Sequence, residues 1–182
     1  MGLDQNIFRV SRTHYDPDKV YPYNEIGDGI LIDEQDIHES AVQQILPYCQ
    51  KIQFISEDYD YPAICRDYGL TEARPYMWSD DGTAFCDDHR EVMIPTSEID
   101  EKYTIRKTVI GYACNAREVN YWRKNYLISD WFHEHIDVPV ENCGYYILNE
   151  ELIDEFNEAF PDEWIEPEDP TDDAALAYWE WY

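Results

Sequence analysis

The sequence predicts an α+β fold: a small mixed or antiparallel sheet packed on a central buried helix over about 117–135, with an acidic C-terminal extension. Three observations predict it. Short apolar or alternating runs recur at 3–10, 29–32, 53–55, 99–114 and 144–148, as in strands. Residues 117–135 place apolar side chains around most of a helical wheel. They leave one narrow charged stripe of Arg123, Asp130 and Glu134, the pattern of a largely buried helix. The 182 residues are 44% hydrophobic and 15% aromatic, which suffices for one domain with a core and is unlike a disordered acidic chain.

The elements follow in order. Leu3 to Val10 alternates loosely and opens the sheet. Pro17, Pro22, Gly27 and Gly29 make 14–29 a loop. After the apolar run Ile30-Leu31-Ile32, Asp33 is placed to cap a helix carrying Ile37, Val42, Ile45 and Leu46, with Pro47 ending it. Gln53-Phe54-Ile55 is a strand. Residues 57–98, with Pro62, Pro75 and Pro95 and the pairs Asp80-Asp81 and Asp87-Asp88, form an irregular insertion. Tyr103, Ile105, Val109, Ile110 and Tyr112 fit one long strand or a hairpin. The central helix comes next, and Pro139 lies beyond its end. Gly144 to Leu148 is a strand, and Asn149 caps a short helix whose inner face is Leu152, Ile153, Phe156 and Phe160. Pro161, Pro167 and Pro170 break up the remainder. Residues 1–160 are therefore expected to form a single α+β domain. Residues 161–182 are an acidic aromatic tail that docks on the domain or on a partner.

Charge is the strongest compositional feature. Forty acids against 13 bases give a net charge of −27, and no Lys or Arg follows Lys124. Residues 125–182 hold 17 acids. A charge so far from zero destabilises the compact state by self-repulsion and calls for a reason. Halophilic solvation is one. Calcium is another, but no EF-hand loop of the D-x-[DN]-x-[DN]-G type is present. The third is a basic macromolecular partner. Acids three or four apart on a helix stand about 5–6 Å apart on one face. Such a face competes for the Lys/Arg grooves that hold phosphates, with salt-sensitive affinity. A solvated acidic face without a partner is the plain alternative. The interleaved aromatics favour binding, with acids steering and Trp anchoring. The expected partner-binding residues are Glu150, Glu151, Asp154, Glu155, Glu158, Asp162, Glu163, Glu166, Glu168, Asp169, Asp172 and Asp173, with Trp164, Trp179 and Trp181.

Other classes find little support. The N-terminus lacks the basic and apolar regions of a signal peptide, and no window approaches the apolar length of a membrane span. Gly2 invites a myristoylation reading, but Asn6 stands where Ser or Thr is wanted. Cys49, Cys65, Cys86, Cys114 and Cys143 are odd in number and irregularly spaced, as for reduced cytosolic thiols. Cys86 and His89 with His133 and His135 could be assembled into a zinc site. However, an H-x-H pair on a helix points its rings to different faces, so no metal and no cofactor is expected. No P-loop, G-x-G-x-x-G, H-E-x-x-H or G-x-S-x-G motif occurs, and no catalytic residue is assigned.

The opening Met1-Gly2-Leu3-Asp4, the run Glu118-Val119-Asn120-Tyr121-Trp122-Arg123-Lys124, the Trp131-Phe132 pair and Glu141-Asn142-Cys143-Gly144-Tyr145-Tyr146 occur in that order. Together they resemble a family of small phage and prophage proteins that begin MGLD and carry a Tyr-Trp-Arg-Lys helix followed by a Cys-x-x-Tyr strand. The likeness covers 1–10 and about 95–158. It departs at Tyr126 and Ser129, where the family carries Asn and His. A phage origin joined to extreme acidity resembles the DNA mimics of phage counter-defence. What the resemblance implies is an anti-CRISPR protein in the cytoplasm of a bacterial host. It would bind the basic nucleic-acid surface of a Cas9-type effector with its guide RNA and block DNA engagement or cleavage. An inhibitor of restriction enzymes and a small zinc-binding or enzymatic phage protein are the alternatives. Neither direct nucleic-acid binding nor membrane binding is expected.

Overall fold

In the computed structural model, which describes residues 3–27 and 29–182, the last strand of the chain lies inside the main sheet. Met1 and Gly2 of the MGLD start, and Asp28 of the expected 14–29 loop, lie outside the described residues. The chain forms two units, Met1–Phe54 with Val109–Tyr182, and Ile55–Thr108.

The first unit holds β1 (Asp4–Ser11), β2 (Val20–Pro22), β3 (Ile30–Asp33), the start of β4 (Gln50–Tyr59) and most of the long β8 (Thr104–Arg123), reached after the second unit. It continues with α3 (Tyr126–His135), β9 (Tyr145–Leu148), α4 (Glu150–Ala159) and β10 (Ala174–Trp181). The sheet order is β2-β4-β8-β1-β10-β9, and β3 also pairs with β8. Strand alternation sorts its side chains onto two faces. On one face Ile7, Trp122, Tyr146, Leu148, Leu176 and Tyr178 meet Ile128 and Phe132 of α3 and Ile153 and Phe156 of α4. On the other, Val10, Ala175 and Ala177 meet Ala41, Val42, Ile45 and Tyr48. Small alanines on this face of β10 let the turns of 34–48 approach closely.

The sequence reading is corrected in four places. The helix expected over 117–135 is a strand to Arg123 and a helix only from Tyr126. Residues 115–123 pair with β1 in antiparallel register, from Ser11↔Asn115 to Asp4↔Arg123. Val119, Tyr121 and Trp122 are strand formers, and their pairing with β1 prevails over the apparent helical wheel. Trp122 is buried and Arg123 exposed, as expected. The helix expected after Asp33 is a series of single tight turns at Glu34–Asp36, Ser40–Val42 and Leu46–Tyr48. Asp33 makes no side-chain cap bond, so nothing nucleates a longer helix.

The third correction concerns the expected tail. Residues 174–181 form β10, paired with β1 on one side and β9 on the other. Leu176 and Tyr178 belong to the main core, so the single domain does not end at residue 160. Residues 160–168 are also fastened. Asn157 bonds both the N–H and the C=O of Ile165, at 2.8 and 2.7 Å, and Ile165 is fully buried. Arg9 grips both carboxylate oxygens of Glu168, at 2.9 and 3.0 Å.

The fourth concerns 57–98. The second unit carries α1 (Tyr61–Tyr68), the antiparallel meander β5 (Arg74–Ser79), β6 (Gly82–Cys86) and β7 (Glu91–Pro95), and a short helix α2 (Thr96–Glu98) continued by a wide turn to Tyr103. Its core is Ala63, Ile64, Leu70, Phe85, Ile94, Ile99 and Tyr103. Acids counted as mere charge organise its turns. Asp60 caps α1 by accepting from the Ala63 N–H at 3.0 Å. Gly69, at φ +62°, ends that helix in the left-handed conformation that glycine adopts without penalty. Asp87 accepts from the backbone N–H groups of Thr71, His89 and Arg90. These bonds hold its carboxyl well below the usual range.

Two expectations are met closely. The strand at 144–148 is β9. Asn149 caps α4 by accepting from the Leu152 N–H at 2.8 Å, with Ile153 and Phe156 buried and Leu152 and Phe160 packed beside them.

Candidate functional site

The outer face of α4 carries Glu150, Glu151, Asp154, Glu155 and Glu158, all exposed. None pairs with a Lys or Arg among the described residues. Like charges four apart on a helix cost about 0.2–0.5 kcal/mol per pair. Glu150 and Glu151 lie in the first turn, where the helix dipole favours acids. The neighbouring Asp169 carboxyl, which hydrogen-bonds the protonated form and repels the ionised one, holds the Glu150 carboxyl above its usual range.

The other expected partner-binding residues divide into exposed ones and ones committed to the fold. Asp162, Glu166, Asp169, Asp172 and Asp173 are exposed. Glu163 instead accepts the Trp122 indole N–H at 2.6 Å, and Glu168 is held by Arg9, so both have structural work. Trp164 is 57% and Trp181 47% exposed. Trp179 is half-buried against Phe8 and Tyr145, with centroids 6.2 and 6.5 Å away, and is a packing residue.

A second constellation is absent from the sequence reading. In β10, Glu180 stands on the same face as Leu176 and Tyr178, directly across from Gln5 of β1. It is fully buried beneath α3. Burying a carboxylate is expensive unless hydrogen bonds replace its water. Here Glu180 Oε2 accepts from the Ser129 hydroxyl at 2.9 Å and from the Tyr178 hydroxyl at 2.7 Å, while Oε1 contacts His133 Nε2 at 2.5 Å. Burial, and then the bond to Glu180, push the Tyr178 phenol far up, so it stays a donor. Ser129 and His133 are four apart and thus share the sheet-facing side of α3.

The α3 helix is set by its entry turn. Lys124 adopts φ 57°, its N–H donates to the Leu3 carbonyl at 2.6 Å, and Asn125 caps the helix at the Ile128 N–H. The Gln5 amide donates to the Asn125 carbonyl at 2.7 Å. Above Glu180 opens a cleft of about 540 Å³ lined by Leu3, Tyr126, Ser129, Asp130, His133, Glu134, Glu180 and Tyr182.

His135 turns away from His133 and stacks on Trp131, with centroids 4.0 Å apart, while its Nδ1 meets the Trp131 carbonyl at 2.8 Å. The histidine pair therefore does not converge. Cys86 and His89 belong to the other unit, and among the described residues no three His, Cys, Asp or Glu side chains are grouped to hold a metal. No described helix is long and apolar enough to cross a membrane.

Glu180 had one signal in the sequence, a lone acid in the otherwise apolar run Ala174–Trp181 at a position in phase with Leu176 and Tyr178. No protein-family model matches the chain, and neither does any curated protein or any solved structure.

Proposed function

We propose that the protein is an acidic, DNA-mimic-like inhibitor that binds the basic nucleic-acid surface of a partner protein. The observation that carries the reading is the outer face of α4. It presents five exposed acids without a basic partner among the described residues, and Trp164 is exposed in the segment that follows the helix. Acids at helical spacing on a packed helix form a rigid negative surface. Release of condensed counterions then drives association with Lys/Arg-lined grooves. Phage counter-defence is the setting that the sequence resemblance favours, with a CRISPR effector of the Cas9 type and its guide RNA as the first target. A restriction nuclease is the alternative on the same surface, because both present phosphate-binding grooves. The function needs no catalytic residue, metal or cofactor.

The test is an interference assay against a panel of CRISPR and restriction systems, followed by binding to the effector that responds. Lys substitutions at Glu151, Asp154, Glu155 and Glu158 leave the internal contacts of Glu163 and Glu168 intact. They are expected to abolish inhibition, and wild-type affinity is expected to fall at least about tenfold from 50 to 200 mM salt. Inhibition that survives the four reversals removes this face as the binding surface.

A further inference from the structure

We propose that the cleft between α3 and the end of β10 is a binding site for a guanidinium group. The inference does not rest on the acidic-face reading. It concerns another surface, and a free guanidinium compound tests it without a partner protein.

The hydrogen-bond inventory of the cleft defines the ligand. Glu180 is fully buried and accepts from Ser129 and Tyr178 through one oxygen, leaving the other for His133. The carboxylate of Glu180 faces His133 Nε2, so that nitrogen is the one that donates. His133 Nδ1 has no hydrogen-bond partner among the described residues. Asp130 and Glu134, one helical turn apart, flank His133, and both are exposed without a basic partner among the described residues. The charged groups left free to bind, Asp130 and Glu134, are acceptors, and they make the cleft mouth negative. A ligand that satisfies these two carboxylates is a positively charged donor, and their charge disfavours phosphates and carboxylates.

Shape separates guanidinium from ammonium. Tyr126 and Tyr182 stand in the cleft wall with 61% and 51% of their surfaces exposed, offering uncommitted aromatic faces. The Tyr182 main chain is tied by its N–H to Asn142 Oδ1 at 2.9 Å. A planar guanidinium carries five donors in a fork and stacks on such rings, whereas an ammonium is a compact, strongly hydrated point charge. The volume of about 540 Å³ accommodates the group with its aliphatic stem. Leu3 adds an apolar side chain for that stem to pack on.

The guanidinium can belong to a free metabolite or to an arginine side chain of a polypeptide, and the two share this chemistry. The experiment titrates the full ¹⁵N-labelled chain with agmatine, with N-acetylarginine methylamide, and with butylamine as the ammonium control. Both guanidinium probes are expected to shift, saturably, the amides of 126–134 and 180–182, at least about tenfold more tightly than butylamine. Asp130→Asn with Glu134→Gln, both on exposed positions, is expected to weaken the guanidinium probes at least about tenfold while the spectrum stays folded. Tighter agmatine binding points to a free ligand, and tighter binding of the methylamide to an arginine in a chain. Absence of saturable binding, equal affinity for butylamine, or unchanged affinity in the double variant overturns the proposal.

Discussion

The indole N–H of Trp122 donates to Glu163 Oε2 at 2.6 Å. The bond ties the acidic stretch after α4 to β8, and the same indole packs on Phe156 with centroids 5.7 Å apart. Glu163 is thus one of the acids that hold the fold together. Glu163→Ala leaves the indole N–H without its partner and is expected to cost about 1–2 kcal/mol. Glu166→Ala, at an exposed position, is expected to stay within about 0.5 kcal/mol of wild type. Urea midpoints at constant m-value compare the two. Equal midpoints refute the structural role of Glu163.

What the sequence revealed depended on whether the deciding interaction was local. The α4 helix was legible because Asn149 and the apolar period of Leu152, Ile153 and Phe156 act within one segment. The strands at 3–10 and 144–148 were legible for the same reason. Residues 117–123 were not, because an all-round apolar pattern fits a buried helix as well as a strand, and only pairing with Asp4–Ser11 decides between them. Glu180 was hidden more deeply. In the sequence it is one acid among forty, and its partners Ser129 and His133 lie 51 and 47 positions away. The acidic surface was legible as composition, but which acids are free was not, because Arg9 reaches Glu168 across 159 positions.

The buried carboxylate predicts a coupled energy. Tyr178 stacks on Phe132, with centroids 3.9 Å apart, and its hydroxyl donates to Glu180. Tyr178→Phe keeps the ring and removes one donor to a charged, buried acceptor, a loss of about 1.5–3 kcal/mol. In a Glu180→Gln background the acceptor is neutral, and the same change is expected to cost only about 0.5–1.5 kcal/mol. A double-mutant cycle from denaturant unfolding reads the difference. Additive effects refute the charge-assisted bond.

The turn at Asp87 predicts a pH dependence. The Thr71, His89 and Arg90 N–H groups lower its carboxyl below the unfolded value, so the ionised form is the one that folding favours. The contribution is therefore present above about pH 4, the unfolded pKa, and is lost as pH falls through the lower folded value. Asp87→Asn removes the charge at every pH. Amide exchange at Thr71, His89 and Arg90 is expected to be faster in the variant at neutral pH, with the gap closing in acid. A gap independent of pH refutes the assignment.

Lys124 predicts a backbone preference at the entry to α3. Its φ of 57° lies in the left-handed region, which costs an L-residue about 1–2 kcal/mol, and the following residue caps α3. The N–H bond to the Leu3 carbonyl requires a residue with an amide proton, which excludes proline. Glycine keeps that proton and adopts the conformation freely, but it also loosens the unfolded chain. Both Lys124→Gly and Lys124→Ala remove a positive charge from a chain of net charge −27, so the electrostatic loss cancels between them. Their difference isolates the backbone. The glycine variant is expected to be more stable than the alanine variant by about 1 kcal/mol. Urea unfolding of the pair measures it, and an alanine variant as stable as the glycine one would show that this turn relaxes out of the left-handed region.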